Sequence, residues 1–426
     1  MDTATIYNKF KTCTSVSTDT RKIEQGDMYF ALKGDNFDGN KFVNQAFEKG
    51  AKYCIIDDKE AVINEYCILV KDVLKTLQNL ATFHRNEINV PIISLTGSNG
   101  KTTTKELINT VLATTYKVKA TKGNLNNHIG VPLTLLSFTN DLDFGIVEMG
   151  ANHQKEIEFL SNIALPDYGL ITNFGKAHLE GFGGVEGVIK GKSELYDYLK
   201  INKKTAFINT DDFKQTKQIG DYKKTITFGE SSSNDCKIEF IEANPFVSVK
   251  FNDIRINSQL IGDYNYGNIA VAIAIGQYFK VSNTNIKTVI ERYQPDNNRS
   301  EIIKKNSTNI ILDAYNANPT SMLAALKNFK QLHAENKYLF LGDMFELGEE
   351  AKKEHQAIAD FAESNFNNNI YLIGENFYKT ETQKTTHKYS CFEDLKSTLK
   401  DMDFNQSTIL IKGSRGMALE RILDVI

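Results

Sequence analysis

The sequence has 426 residues, with 50 Lys and Arg against 53 Asp and Glu, and 24% of residues charged. At about 150 residues per domain, that length suggests two to four domains of ordinary globular composition. The near-neutral balance offers no broad basic face, which excludes nucleic acid as the main partner. No uncharged apolar run approaches the roughly 18 residues of a membrane span, and Met1-Asp2-Thr3 opens a polar stretch without a secretory signal. The five cysteines (Cys13, Cys54, Cys67, Cys236 and Cys391) are scattered and form no CxxC pair. A disulfide framework or zinc knuckle is therefore not expected, and a reducing cytosol is.

Along the chain, short apolar runs alternate with helical patterns, the signature of βα units around a largely parallel sheet. A first block predicts a strand over 27–32, a helix over 41–49, a strand over 53–56 and a helix over 73–84. It closes at a polar stretch over 85–91 ending in Pro91. A second block predicts a strand over 91–95, a Gly-rich turn and a helix over 101–112. Strands over 144–148 and 168–172 and an Ala- and Ile-rich helix over 268–278 follow. After a second polar break, Gln294-Pro295-Asp296-Asn297-Asn298, a third block predicts strands over 309–312, 337–341, 370–373 and 408–411, with a helix over 319–329 and a closing helix. The reading is an α/β protein of three domains, 1–88, 89–296 and 297–426. Ser231-Ser232-Ser233-Asn234 reads as a surface turn.

The sharpest signal is Thr96-Gly97-Ser98-Asn99-Gly100-Lys101-Thr102-Thr103, between a strand and a helix. Glycines let backbone N–H groups curl around phosphate oxygens, and the helix N-terminus adds positive potential. Lys101 can reach the β/γ-phosphates and the Thr102 hydroxyl can ligate Mg²⁺. The common G-x-x-x-x-G-K-T spacing would need glycine where Leu95 stands, so the loop is a shortened form. Alone it does not choose between a switch, a kinase and a ligase. Asn202-Lys203-Lys204-Thr205 lacks the aspartate of a guanine-reading motif, which lowers the switch reading.

Two further positions lie on strand ends, where ligands bind in such sheets. Glu148 closes an apolar strand and is either a Mg²⁺ ligand or a solvated acid. His178 follows the strand over 168–172 and gains weight from its neighbours rather than by itself. Lys192, in a helical pattern, reads from spacing alone as an exposed lysine.

Together these segments resemble the Mur ligases, the ATP-dependent amide-forming enzymes of peptidoglycan synthesis, and the resemblance spans the chain. Ser17-Thr18-Asp19-Thr20-Arg21 and the run from Gly26 to Gly34 look like the family's UDP-sugar-binding domain, and 96–103 matches its short phosphate loop. The run from Asn124 to Thr134, with Asn126 and Asn127, looks like its substrate segment; His128 stands where an acid is more usual, so its role stays open. Gly262 to Asn268 resembles the adenine-side motif, with Tyr264 in place of the usual histidine. The segments Asp313 to Pro319, Leu341 to Gly348 and Lys412 to Arg415 resemble the branch that adds D-alanyl-D-alanine.

What the resemblance implies is specific. The central phosphate-loop domain would be flanked by an N-terminal UDP-substrate domain and a C-terminal Rossmann-like domain that contacts dipeptide and nucleotide. ATP would be held by Thr96 to Thr103, Asn268, Arg299 and Asp313. Two Mg²⁺ ions would sit at Thr102, Glu148 and His178, with Lys192 as a carbamate, and Lys101, Lys192, His178 and Arg299 would act in catalysis. Asp19, Thr20, Arg21, Asn126, Asn127, Asn316 and Asn318 would contact UDP-N-acetylmuramoyl-tripeptide and D-alanyl-D-alanine. Asn316 and Asn318 read equally well as turn formers around Pro319. A cytoplasmic monomer is expected. Other readings are a folylpolyglutamate-type ligase, against which the N-terminal block speaks, and a non-enzymatic nucleotide-binding regulator, against which the intact metal positions speak. With reactants divided among three blocks, the breaks at 85–91 and 294–298 must be hinges or fixed spacers.

Overall fold

The computed structural model describes residues 1–295 and 298–426. The proposed division between residues 296 and 297, and the middle of the polar break there, lie outside the described residues. Three main sheets carry the fold. The first is four parallel strands in the order Val16–Ser17, Met28–Phe30, Tyr53–Ile56, Cys67–Leu69.

The central sheet has nine strands. Ile92–Thr96, buried at every position, lies between Phe144–Glu148 and Tyr168–Ile171, all parallel. Strands buried along their whole length belong in a sheet covered on both faces. This order brings the phosphate-loop turn, the end of the Glu148 strand and the loop after Ile171 to one rim. Beyond Tyr168–Ile171 come Thr205–Asn209 and Thr225–Gly229, then an antiparallel meander of Cys236–Ala243, Phe246–Phe251 and Ile254–Ile261. These five strands lie outside the elements read from the sequence. The meander alternates apolar and polar residues because one face is solvated, unlike the central strands.

The third sheet runs Glu301–Lys305, Thr308–Asp313, Ser407–Lys412, Asn336–Gly342, Ile370–Ile373, Thr386–Tyr389, with only the first pair antiparallel. Asp313 and Lys412 end adjacent parallel strands and stand opposite each other. The expected closing helix is instead two 3-10 turns, Arg415–Met417 and Leu419–Asp424. Ala418 between them is left-handed at φ 48°, which no α-helix can pass through.

Helix Val73–Glu87 joins the first sheet to the middle of the chain, and its end is fixed. Arg85, buried, donates from Nε to Ala164 O at 3.1 Å, and from Nη2 to Leu165 O at 3.1 Å and Asp167 Oδ2 at 2.7 Å. His84 Nε2 lies 2.9 Å from Phe138 O. The first polar break is therefore a spacer locked onto the middle unit. Among the described residues no helix is long and apolar enough to cross a membrane.

Arg85→Ala tests the lock. Breaking a buried pair can cost about 3–5 kcal/mol, but Lys204 Nζ, 2.7 Å from Asp167 Oδ1, keeps the carboxylate paired. The expected loss is therefore nearer ~2 kcal/mol, read as a melting temperature several degrees lower in a calorimetric scan; an unchanged scan would mean the spacer is held elsewhere.

Candidate active site

The rim of the central sheet opens into a cavity of about 820 Å³, lined on one side by the phosphate loop, Glu148 and His178 and on the other by Arg299, Asp313, Asn318 and Lys412. The loop needs its glycines. Gly97 has φ 146° and a Cβ there would lie 2.0 Å from Thr172 Oγ1; Gly100 has φ 78° and presses on the Asn268 amide. Asn268 in turn accepts from Thr104 Oγ1 at 3.0 Å and donates to Asn265 Oδ1 at 2.8 Å, bracing the first helical turn.

Lys101 folds back on its own loop, with Nζ donating to Gly97 O at 2.7 Å and approaching Ser98 O at 3.4 Å. Burial pushes its ammonium below the ordinary lysine range; Glu148 opposes that and Arg299 adds to it. The carbonyls Lys101 holds are weak partners for a cation, so an incoming anion can win it.

Glu148 is 1% exposed and well supplied with donors. Thr102 Oγ1 donates to its Oε2 at 3.1 Å and Asn126 Nδ2 to its Oε1 at 2.8 Å, while its backbone N–H donates to Thr121 Oγ1 at 2.9 Å. The carboxylate and hydroxyl thus meet as expected from their strand end and helix start. Asn127 instead caps a turn, its Oδ1 accepting from Ile129 and Gly130, and His128 lines the cavity mouth with an exposed side chain.

His178 is left-handed at φ 52°, and its Nδ1 lies 2.5 Å from Glu346 Oε2 of the third unit, a contact without hydrogen-bond alignment. Lys192 is fully buried behind the cavity wall, where its Nζ donates to Ala151 O at 2.9 Å and sits 4.9 Å from the Phe182 ring centre. Its amine is pushed well below the ordinary lysine range, first by burial and then by Lys101. The exposed-lysine reading from spacing therefore fails: the helix turns this face inward. Among the described residues no three His, Cys, Asp or Glu gather as a ready-made metal cage.

The third unit meets the middle one through the same loops. Asn318 Nδ2 donates to Asn99 Oδ1 at 2.7 Å, Lys176 N–H to Thr320 Oγ1 at 2.8 Å, and Lys176 Nζ pairs with Glu354 at 2.5 Å. Arg299 stacks on Tyr315, its Cζ 3.6 Å from the ring centre, and its Nε is buried without a partner among the described residues. Asp313 pairs with Lys412 at 2.5 Å and accepts from Ser300 N at 3.3 Å. Tyr264 Oη lies 2.9 Å from Ser300 Oγ, so the residue standing in for histidine ties the middle unit to this segment. Asn316 lines the cavity, its Oδ1 accepting from Ala317 N–H. Thr96, Gly97 and Lys192 lie behind the lining.

Asp19, Thr20 and Arg21 stand apart, in the turn between strands Val16–Ser17 and Met28–Phe30 of the first sheet. Asp19 caps the turn Thr20–Lys22 and chelates Arg21 at 2.8 and 2.9 Å, which holds its carboxyl down at about 2; Thr20 donates to Gln45 Oε1 at 2.7 Å. Sequence reasoning did not single out Tyr315, Glu346, Lys105 or Asn173 as site residues. Asn173 Oδ1 accepts from Asn99 N–H at 3.1 Å and so orders the phosphate loop from the neighbouring strand end. Its place after an apolar strand was a usable signal.

Residues 95–276 match the model of the Mur ligase middle domain, 298–415 that of the Mur ligase, glutamate ligase domain, and 12–95 that of the Mur ligase family, catalytic domain. The UDP-N-acetylmuramoyl-tripeptide–D-alanyl-D-alanine ligase of Bacillus subtilis is 35% identical over 96% of this chain and 92% of its own. The Escherichia coli protein of that name is 31% identical over 97% and 93%. Among solved structures, MurF from Acinetobacter baumannii superposes with a TM-score of 0.86 at 30% identity over 96% of this chain and 92% of its own. The MurF ligase from Thermotoga maritima in complex with ADP gives 0.84 at 25%, over 98% and 97%.

Asn318 tests the contact between units. It caps helix Pro319–Gln331 through a capping box as well as reaching Asn99. Asn318→Ala should cost about 1 kcal/mol of stability, seen in thermal unfolding. Asn318→Ser should keep the cap and the stability yet be too short to reach Asn99, so any change in nucleotide affinity shared by both variants reports the bridge.

Proposed function

The chain belongs to the Mur ligase family, and from that premise we infer that it is the ATP-dependent ligase that joins D-alanyl-D-alanine to UDP-N-acetylmuramoyl-tripeptide in peptidoglycan precursor synthesis. The observation that carries this reading is one cavity in which Lys101, Thr102 and Glu148 of the middle unit face Arg299 and Asp313 of the third. We place the reaction in the cytoplasm, where its nucleotide-linked reactants are made.

A carboxylate resists amines because its carbonyl carbon is electron-rich and its oxygen leaves poorly. The tripeptide's terminal carboxylate oxygen therefore attacks the γ-phosphorus of ATP, and ADP leaves. The dipeptide amine then attacks the acyl carbon of the acyl phosphate, inorganic phosphate departs with the bonding pair, and the ammonium proton is lost. Catalysis is mostly positioning and charge neutralisation.

In this reading the backbone N–H groups of 97–103 cradle the β- and γ-phosphates, and Lys101 exchanges its loop carbonyls for phosphate oxygens. Arg299, held on Tyr315, has an Nε–H without a partner among the described residues, which can donate to the transferring phosphoryl group. Asn268 supports the loop under the nucleotide and Asp313, fixed by Lys412, faces the ribose. Asn316 and Asn318, amides at the cavity's far wall, suit the two charged ends of a dipeptide. Asp19, Thr20, Arg21 and Asn126–Asn127 are assigned to the UDP-linked substrate, and the domains to 1–88, 89–296 and 297–426.

The residues fit magnesium. Thr102 hydroxyl and Glu148 carboxylate, 3.1 Å apart, are the hard oxygen donors it prefers, one carboxylate being enough where phosphates and water complete the shell. His178 and Lys192 are the candidates for a second ion. Burial, and then Lys101, hold the Lys192 amine well below the ordinary lysine range, and an amine that gives up its proton can add CO₂ to become an oxygen ligand. When bound, the two ions would neutralise the like charges of γ-phosphate and substrate carboxylate, which at 4 Å and an effective dielectric of 20 repel by roughly 4 kcal/mol.

Phosphate release that requires both UDP-tripeptide and D-alanyl-D-alanine would establish the activity; release with either alone would defeat it. Lys101→Ala should abolish turnover while UDP-substrate binding stays within about threefold by calorimetry. For Lys192, ¹³C-bicarbonate should give a carbamate signal in the wild-type protein that Lys192→Ala lacks. Short-chain carboxylic acids should partly restore that variant but not Glu148→Ala. A fully active Lys192→Ala enzyme would leave the residue a packing lysine.

A further inference from the structure

Helix Lys101–Leu112 carries a second inward lysine that the mechanism does not use. Lys105 is 3% exposed, and its Nζ lies 3.8 Å from Glu148 Oε2 and 3.9 Å from Glu106 Oε1, both too long for hydrogen bonds. Thr102 and Lys105 are three residues apart and share a helix face. That spacing aims the hydroxyl and the ammonium at the same carboxylate oxygen.

Their positions relative to the cavity differ. Thr102 and Glu148 line it and Lys105 does not, so the ammonium stands behind the carboxylate. The other acid is a weaker competitor, because Glu106 Oε2 already accepts from Tyr293 Oη at 2.5 Å and its side chain is 28% exposed against 2% for Glu148. Charges this deep are little screened by salt.

A divalent cation entering from the cavity therefore meets a carboxylate already partly neutralised, with a fixed positive charge just behind it. With a triphosphate in place the balance changes: the ammonium still repels the metal but now also attracts the phosphates. We propose that Lys105 is the resident counter-ion of Glu148 and makes magnesium capture at this carboxylate conditional on the nucleotide. The proposal rests on the reading of Glu148 as a metal ligand, and it makes Lys105 a positioning residue, not a catalytic one.

The test is Mn²⁺ binding to the full chain, followed by electron paramagnetic resonance without turnover. Without nucleotide, Lys105→Met should bind Mn²⁺ about tenfold or more tighter than wild type, whereas Lys105→Arg, which keeps the charge, should match wild type. Affinity for a preformed complex of Mn²⁺ with a non-hydrolysable ATP analogue should change by less than about threefold in Lys105→Met, since repulsion of metal and attraction of phosphate offset. Should the methionine variant not fold, Lys105→Gln serves the same comparison. Unaltered nucleotide-free affinity in a folded neutral variant would overturn the proposal and leave Lys105 a packing cation. Glu148→Gln separates the two levels. If it does not weaken Mn²⁺ binding to the nucleotide complex, the metal reading falls and the proposal with it. If it does weaken binding while the Lys105 variants behave like wild type, only the proposal falls.

Discussion

The constraint on the central cavity is charge held out of water by a few fixed partners. Lys105, Lys192 and Lys412 are each 3% exposed or less, and Lys101 and Arg299 face the same space. Five carboxylates, Glu148, Glu156, Asp212, Asp263 and Asp313, line the cavity, and two of them are engaged by buried lysines, Glu148 by Lys105 and Asp313 by Lys412. Lys101 holds loop carbonyls and Lys192 holds Ala151 O, and the Lys192 amine is depressed first by burial and then by Lys101. A buried charge with only neutral partners is costly. On the proposed function, a phosphate would take Lys101 from neutral loop carbonyls rather than from a carboxylate, an exchange that breaks no ion pair.

Strand order is what gathers these groups. Because Ile92–Thr96 sits between the strands ending in Glu148 and Ile171, three loops that are far apart in sequence share one rim. The loop after Ile171 has a second duty. It carries Asn173 to the phosphate loop on one side and Lys176 and His178 to the third unit on the other. Phosphate-loop contacts and inter-unit contacts thus run through the same seven-residue stretch, 172–178, so the two cannot be altered independently.

Elements with a strong local signature were legible in the sequence. Helix Lys101–Leu112 and strands Phe144–Glu148 and Ile370–Ile373 begin and end where periodicity and glycine punctuation put them. The antiparallel meander was not read, since its half-exposed strands lack the continuous apolar runs of the parallel core. The site was legible where a motif fixes backbone form, as at Gly97 to Thr102, and where a residue closes a strand, as Glu148 does. Lys192 shows the limit: spacing names the helix but not which face is buried, and a buried lysine looks like a surface one until the packing is known. Lys105, Tyr315 and Glu346 were invisible for a related reason, because their partners lie tens to hundreds of residues away.

The segment after the second polar break joins these threads. Asn298 O accepts from Tyr315 N–H at 3.1 Å, Ser300 N–H donates to Asp313, and Arg299 lies on Tyr315. Arg299 therefore belongs mechanically to the third unit although it immediately follows the break, and its only cross-link from the middle unit in this stretch is Tyr264 to Ser300, among the described residues. Separation of the third unit would withdraw Arg299, Asp313, Lys412 and Asn318 together from the cavity that Lys101, Thr102 and Glu148 line. In the proposed reaction, phosphoryl transfer would then need the arrangement seen here, in which water is also kept from a reactive acyl phosphate. The first unit is attached differently: Arg85 fixes helix Val73–Glu87 to the middle unit, so in the proposed reaction the UDP-linked end would stay at a fixed distance from the phosphate loop while the third unit brings the remaining charge.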